Sequence, residues 1–308
     1  MGIINIGDNI TGLHNQSDSI QAVYHLGVKV WPDSNNAFII EFSVEAQTLT
    51  IPLYNTTGYN CSFNWGDGSA PTSVTAYDGT GRTHVYATPG IYQVLITGTC
   101  KGIFFNNTGD KNNLIKIIQW GSVGMCYMDC AFYFCSNLVS IPNVCAPPDV
   151  NTIDTNAYRY TSITAVNIPT TVTTIGNFAF ANITTLSAIA FPSSVTSLGT
   201  GVCFYNSALT SVSIPTSITT IPIQAFEYCT ALQTITFPSS LKSIGDSALR
   251  YCTSCVDVIV NAVVPPTFGG LAFENMHANR VFHVPAGSLA AYKAAAGWSV
   301  YADVIFAM

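Results

Sequence analysis

An apolar residue followed by proline recurs every 23 residues, at Ile168-Pro169, Phe191-Pro192, Ile214-Pro215 and Phe237-Pro238. A fixed period of this length marks a chain of stacked supersecondary units, none of which can bury its apolar face alone. Around Pro215 the unit runs from Leu209 through Val212, Ile214 and Pro215 to Ile218 and Ile221, then to Ala225-Phe226 and Cys229. Val212 and Ile214 alternate with serine, as in a short strand with one face turned inward. Proline then stops the strand, because it brings no N–H to the ladder. Ile218 and Ile221 return to the core, and Ala225-Phe226 fills its opposite side. The period predicts strands at 164–168, 187–191, 210–214 and 233–237.

The pattern continues in both directions with less regularity. Ala131-Phe132 and Leu138-Val-Ser-Ile141-Pro142 form an earlier coil, and the step from Pro142 to Pro169 is four residues longer than the regular one. Val256 to Val260, Ala272-Phe273 and Val281 to Pro285 continue the stack after Cys252. The unit Thr174-Ile175-Gly176-Asn-Phe-Ala179-Phe180, repeated as Ser243-Ile244-Gly245-Asp-Ser-Ala248-Leu249, resembles the BspA-type leucine-rich repeat. The ending Val284-Pro285 to Gly297-Trp298 resembles the C-terminal cap of that family. Ser288 is placed to start a short Ala-rich helix and Gly297 to end it, with Trp298 covering the last coil. The resemblance implies binding at bacterial or phage surfaces and no reaction.

Residues 38–99 carry strand signals: Ile39, Ile40, Phe42, Val44, Leu49 and Ile51 in apolar runs, then a Tyr-Asn-Thr-Thr-Gly turn. Cys61-Ser-Phe63-Asn-Trp65-Gly-Asp67-Gly68 and His84-Val-Tyr86-Ala-Thr-Pro89-Gly90-Ile-Tyr92-Gln-Val94 together resemble the polycystic-kidney-disease (PKD) domain, a small β-sandwich of the immunoglobulin-like kind. Phe63 and Trp65 stand in reversed order relative to that family's usual turn. Asp67 reads as a turn-holding residue rather than a calcium ligand. The chain as a whole therefore reads as mainly β. Residues 1–35 form a docking segment, 36–103 a PKD-like sandwich, and 104–308 a leucine-rich-repeat solenoid with a short capping helix.

Composition narrows the partners. Charged residues are 8% of the 308, against about 25% in an ordinary soluble domain, and the net charge is −6. From Tyr160 to Phe226 there is no Asp, Glu, Lys or Arg. Such a surface cannot displace the counterions of a nucleic acid, so no nucleic-acid partner is expected. No apolar run is long enough for a membrane span, so none is expected to insert. The N-terminal stretch lacks a basic region leading into an apolar one and does not read as a signal peptide. Of the ten cysteines, Cys135, Cys229 and Cys252 share one slot of the repeat, where a thiol serves as a small apolar group. Free buried thiols are expected. Cys126, Cys130 and Cys135 lack a CxxC pair and a nearby histidine, so no metal and no cofactor is expected.

No nucleophile elbow, phosphate loop or His-Glu-x-x-His string is present, and acids are too sparse in the repeats for a carboxylate pair. An enzyme, for instance a carbohydrate-active one, is the remotest of three readings. Two sets of residues invite a binding role. Tyr205, Tyr228 and Tyr251 fall on one repeat position, shared with Asn182 and Phe134, and face away from the strand sheet. They form either an aromatic strip for a host-surface glycan or protein, or a ladder that packs coil on coil. Ile20, Val23, Tyr24, Val28, Val30 and Trp31 lie in two short strands joined at Gly27, in a string that resembles N-terminal segments of tailed-phage structural proteins. That resemblance implies docking to capsid or tail proteins, in a homo-oligomeric head or tail fibre or decoration protein located on the virion. A bacterial cell-surface adhesin is the alternative.

Overall fold

The computed structural model describes residues 23–25, 28–30, 36–45 and 48–308. The chain divides into two compact units, Met1–Ser34 and Asn35–Met308. In the first, strand Val23–His25 runs antiparallel to Val28–Val30, with Val23 opposite Val30. This is the expected strand pair. Of the expected docking residues, Ile20 and Trp31 lie outside the described residues, and only the backbone is described at Val23, Tyr24, Val28 and Val30.

The second unit begins with a five-stranded antiparallel sheet. Its order is Thr72–Val74, Asn60–Asn64, Gly90–Thr99, Phe38–Val44 and Leu114–Gln119. Phe38, Ile40, Phe42 and Val44 alternate onto one face and are buried, which is why this run forms a strand with a single core side. A ribbon of Thr48–Thr50 and Thr83–Val85 adds Leu49 and Ile51 to the same core. Trp65 stacks on His84 with centroids 5.0 Å apart, and the Tyr86 hydroxyl donates to the Trp65 carbonyl at 2.8 Å. The strand Leu114–Gln119 lies beyond 103, within the span expected to be solenoid, and pairs with Phe38–Val44. Its other edge meets the first coil: Ile117 N–H donates to Ser140 and Val139 N–H to Ile115. One strand thus belongs to both ladders, and the two cores run together through Phe38, Trp120 and Phe132.

Asp67 holds its turn with both oxygens. Oδ1 accepts from the Ser69 N–H at 2.9 Å, and Oδ2 meets His84 Nε2 at 2.7 Å. Burial pushes this carboxyl up, but Ser69 and His84 outweigh it and bring it down to about 2. A folded-state value below the unfolded one gives stability that is complete above pH ~4 and disappears as pH falls towards 2. Asp67→Asn is therefore expected to unfold at a lower denaturant midpoint at pH 6, with the difference from the parent shrinking as pH is lowered through 4 to 2. An equal difference at both ends would assign the effect to something other than this carboxylate.

From Cys126 onward the backbone winds in coils joined by parallel ladders. One parallel pair holds Ala188–Ala190 beside Ser211–Ser213, and a separate four-stranded ladder runs through Thr234–Phe237, Asp257–Val260, Val281–Val284 and Ile305–Ala307. Three of the four expected strands thus appear. Residues 164–168 form none, although the coil that leads to them pairs with the next through Thr152–Ile153. Two-residue strands at Thr152–Ile153, Thr174–Ile175 and Ser197–Leu198, and at Thr220–Ile221, Ser243–Ile244 and Thr267–Phe268, make a second wall of parallel pairs. The solenoid ends in the helix Leu289–Ala294, with Ser288 at its N-cap position but making no capping hydrogen bond through its side chain. Gly297 does not end this helix, which stops at Ala294. With φ of 81° it instead opens a 3₁₀ segment, Trp298–Val304, a backbone turn that suits glycine.

All ten cysteines are unpaired, and all but Cys126 are buried. Cys229 and Cys252 each donate from Sγ to a carbonyl of the preceding coil, at Cys203 (3.2 Å) and Phe226 (3.1 Å). Burial pushes the Cys229 thiol up to about 12 and Cys145 to about 12. Because the thiolate is the reactive form, iodoacetamide at pH 8 is expected to modify Cys126 in the folded protein and all ten cysteines only in denaturant. Intact mass reads the result, and a product two mass units light per missing pair of labels would reveal disulfides instead.

Candidate aromatic binding column

One side of six successive coils is a tight turn with two residues in the left-handed region, four apart. The pairs are Cys130 and Phe134, Asn156 and Tyr160, Phe178 and Asn182, Gly201 and Tyr205, Gln224 and Tyr228, and Ser247 and Tyr251. For a residue with a Cβ this conformation costs roughly 1–2 kcal/mol. The return is a file of hydrogen bonds between coils: Tyr158 donates to Ala179, Phe180 to Val202, Cys203 to Ala225 and Phe226 to Ala248. The second left-handed residue of each pair donates likewise, Tyr160 to Ala181, Tyr205 to Glu227 and Tyr228 to Arg250. The alternation of conformations turns every second N–H along the stack, while Phe132, Tyr158, Phe180 and Phe226 point inward and are buried.

The second position of each pair is the column named from sequence. The structure brings its three tyrosines together. Tyr228 stacks on Tyr251 at 4.5 Å and 12°, and Tyr205 leans on Tyr228 at 5.3 Å and 43°. Tyr205 is 45% exposed, and its two neighbours are half-buried. Burial, with Tyr251 and Glu227 close by, raises the Tyr228 hydroxyl above its ordinary value. The column is thus both a ladder and a surface: ring faces spend themselves on one another, and ring edges and hydroxyls look outward.

Sequence reasoning missed Tyr160 and the residue before it. Phe134 stacks on Tyr160 at 4.0 Å and 20°, making a second aromatic group higher in the same column. The position just before the column holds, coil by coil, Tyr133, Arg159, Ala181, Phe204, Glu227, Arg250 and Glu274. Arg250 therefore sits between two carboxylates, 2.6 Å from Glu274 and 3.6 Å from Glu227, and its guanidinium lies over the Tyr251 ring at 4.8 Å. On the strand face, by contrast, Ala188, Ala190, Ser211 and Ser213 are exposed and small, which offers no anchor. Among the described residues no group of three His, Cys, Asp or Glu side chains could hold a metal ion. No helix there is long and apolar enough to cross a membrane.

Parallel coils with a short strand, a tight left-handed turn and a repeating aliphatic core define a leucine-rich-repeat solenoid. Residues 151–280 match the BspA type leucine rich repeat region in six copies. The match leaves the five-stranded sheet and the first unit outside it. Similar solved structures include a leucine rich cell surface protein from Faecalibacterium prausnitzii, 21% identical over 55% of this chain and 58% of that one, with a TM-score of 0.31. A leucine-rich repeat protein from Bacteroides ovatus is 16% identical over 75% and 71% of the two chains, with a TM-score of 0.43. A leucine rich repeat protein of T. pallidum is 26% identical over 46% and 66%, with a TM-score of 0.39. The chain spans less than two thirds of the first and third of these. No curated protein matches the chain.

Proposed function

We propose that this protein is a non-enzymatic binding protein of a bacterial surface, an adhesin-like molecule that presents its repeats to a glycan or protein. The six-copy match to the BspA type repeat carries the reading. The charge-poor repeat surface and the one outward aromatic column support it, because tyrosine offers large contact area at low entropic cost. Tyr205, Tyr228 and Tyr251 are the contact residues in this proposal. The PKD-like reading of residues 36–103 goes with it as a spacer. Antibody against the full chain should stain washed, intact cells that produce it, and purified protein should bind a target surface in competition with those cells. Absence from washed cells would sink the surface assignment.

A second reading is a virion fibre or decoration protein, in which Ile20, Val23, Tyr24, Val28, Val30 and Trp31 dock the chain to capsid or tail proteins. The observation favouring it is that Val23–His25 pairs antiparallel with Val28–Val30, the two short strands that carry the docking string. Mass spectrometry of purified virions tests it. A chain lacking residues 1–32 that entered particles at the normal level would overturn the anchor.

A further inference from the structure

The two arginines that share one repeat position differ in what surrounds them. Arg250 has a glutamate on either side and is neutralised within the column. The coils on either side of Arg159 supply Tyr133 and Ala181, and Arg159 enters none of the ion pairs among the described residues. Below it begins the long stretch without any charged side chain. Its positive charge therefore has no ion-pair partner within 4.0 Å among the described residues.

The guanidinium is nevertheless held. Nε donates to Asn182 Oδ1 at 3.1 Å and Nη1 to Asn156 Oδ1 at 3.3 Å. Three half-buried rings frame it, Phe178 at 4.7 Å, Tyr160 at 5.2 Å and Tyr133 at 5.8 Å from the guanidinium carbon to the ring centroid. A guanidinium has five N–H donors. With two engaged, three remain, both on Nη2 and one on Nη1, and an incoming carboxylate can accept from these. A fixed guanidinium without an ion-pair partner, bordered by the rims of aromatic rings, suits a small acid whose carboxylate meets the free donors and whose C–H groups touch those rims.

We propose that Arg159, with Tyr133, Tyr160 and Phe178, is the anchoring subsite for a carboxylate-bearing saccharide, such as a uronic acid unit. The proposal deepens the surface-binding reading and rests on it for its biological setting. The site lies higher in the column than Tyr205, Tyr228 and Tyr251, which would contact further sugar units or the partner's surface.

The test uses the full chain and calorimetric titration with trigalacturonate, its neutral methyl ester, and a sulfated trisaccharide. Trigalacturonate is expected to bind, the methyl ester to bind at least tenfold more weakly, and the sulfated sugar no better than the carboxylate. Arg159→Gln should lose about tenfold or more, in line with the loss of a charged hydrogen-bonding partner. Arg159→Lys should recover only part, because lysine keeps the charge without the fork. Lys242→Gln, an equal loss of charge elsewhere on the solenoid, should leave binding unchanged. Thermal melts of each variant separate lost binding from lost folding. Equal affinity for the acid and its ester, tighter binding of the sulfated sugar, or an Arg159→Gln protein that is folded and binds like the parent would each overturn the subsite. Cell staining keeps the two proposals apart. Staining without trigalacturonate binding overturns the subsite and leaves the surface reading standing. Binding lost in Arg159→Gln, with no staining, does the reverse.

Discussion

Gly199→Ala is expected to cost about 3 kcal/mol, the upper end of what overpacking usually costs, although it adds a single methyl group. A Cβ at Gly199 would lie 2.4 Å from the carbonyl carbon of Gly176 and 2.5 Å from the nitrogen of Asn177. Both are backbone atoms of the neighbouring coil, so no side chain can swing aside. The approach is close because Gly199 N–H donates to Ile175 at 2.7 Å, and Gly176 and Gly245 make the same bond to Ile153 and Ile221 at the same distance. Gly245 and Gly269 meet the preceding coil just as closely, at 2.4 Å. The new methyl must force two coils apart and stretch the bonds that set their spacing. Stability in a solenoid is a sum over neighbouring interfaces, so this one cannot borrow from distant coils. Gly287→Ala is the control. Nothing lies within 4 Å of its added Cβ, and the change should stay within about 0.5 kcal/mol. Denaturant midpoints decide the matter, and a Gly199→Ala protein as stable as the Gly287→Ala one would show that the coils are less tightly spaced than described.

The same close spacing explains what could be read from sequence. The proline period located the strands Ala188–Ala190, Ser211–Ser213 and Thr234–Phe237, because a residue without an N–H must stand at a strand's end wherever it recurs. The inward positions of Phe180, Phe226 and Ile221 followed from the same period, as did the shared slot of Cys135, Cys229 and Cys252. Leu114–Gln119 was not legible as a strand of the first sheet. Its Leu-Ile-Lys-Ile-Ile run is compatible with either ladder, and only the fold shows it serving both. Tyr160 escaped for a different reason. Counting 23 back from Asn182 lands on Arg159, and the column slips by one residue at the coil where the insertion lies. The left-handed turns were equally hidden, since Phe178, Gln224 and Tyr228 have no intrinsic leaning towards that conformation and adopt it for hydrogen bonds made to another coil. The final strand Ile305–Ala307 was missed because it follows the cap and lies outside any repeat.

Trp298→Ala should be the most damaging single change at the C-terminal end, at about 3–5 kcal/mol for an aromatic side chain removed from a core. Trp298 is buried among Phe268, Phe273, Phe282 and Tyr292, with ring centroids 5.0 to 5.7 Å from its own. Its indole N–H donates to the Pro266 carbonyl at 2.7 Å, which alanine would leave without that donor. Trp298→Phe keeps most of the burial and loses the N–H, so it should cost about 1–2 kcal/mol. The damage should also propagate outward. The 3₁₀ segment that starts at Trp298 carries the chain to Ile305–Ala307, which pairs with Val281–Val284 and covers the last coil. Without its anchor this strand should detach and leave an unpaired edge beside buried Phe282 and Val284, and such edges recruit other chains. Trp298→Ala is therefore expected to unfold at a lower denaturant midpoint and to elute as concentration-dependent oligomers in light-scattering chromatography, while Trp298→Phe stays at the parent's mass. A Trp298→Ala protein with the parent's midpoint and mass would mean that the helix and the final strand close the solenoid without the indole.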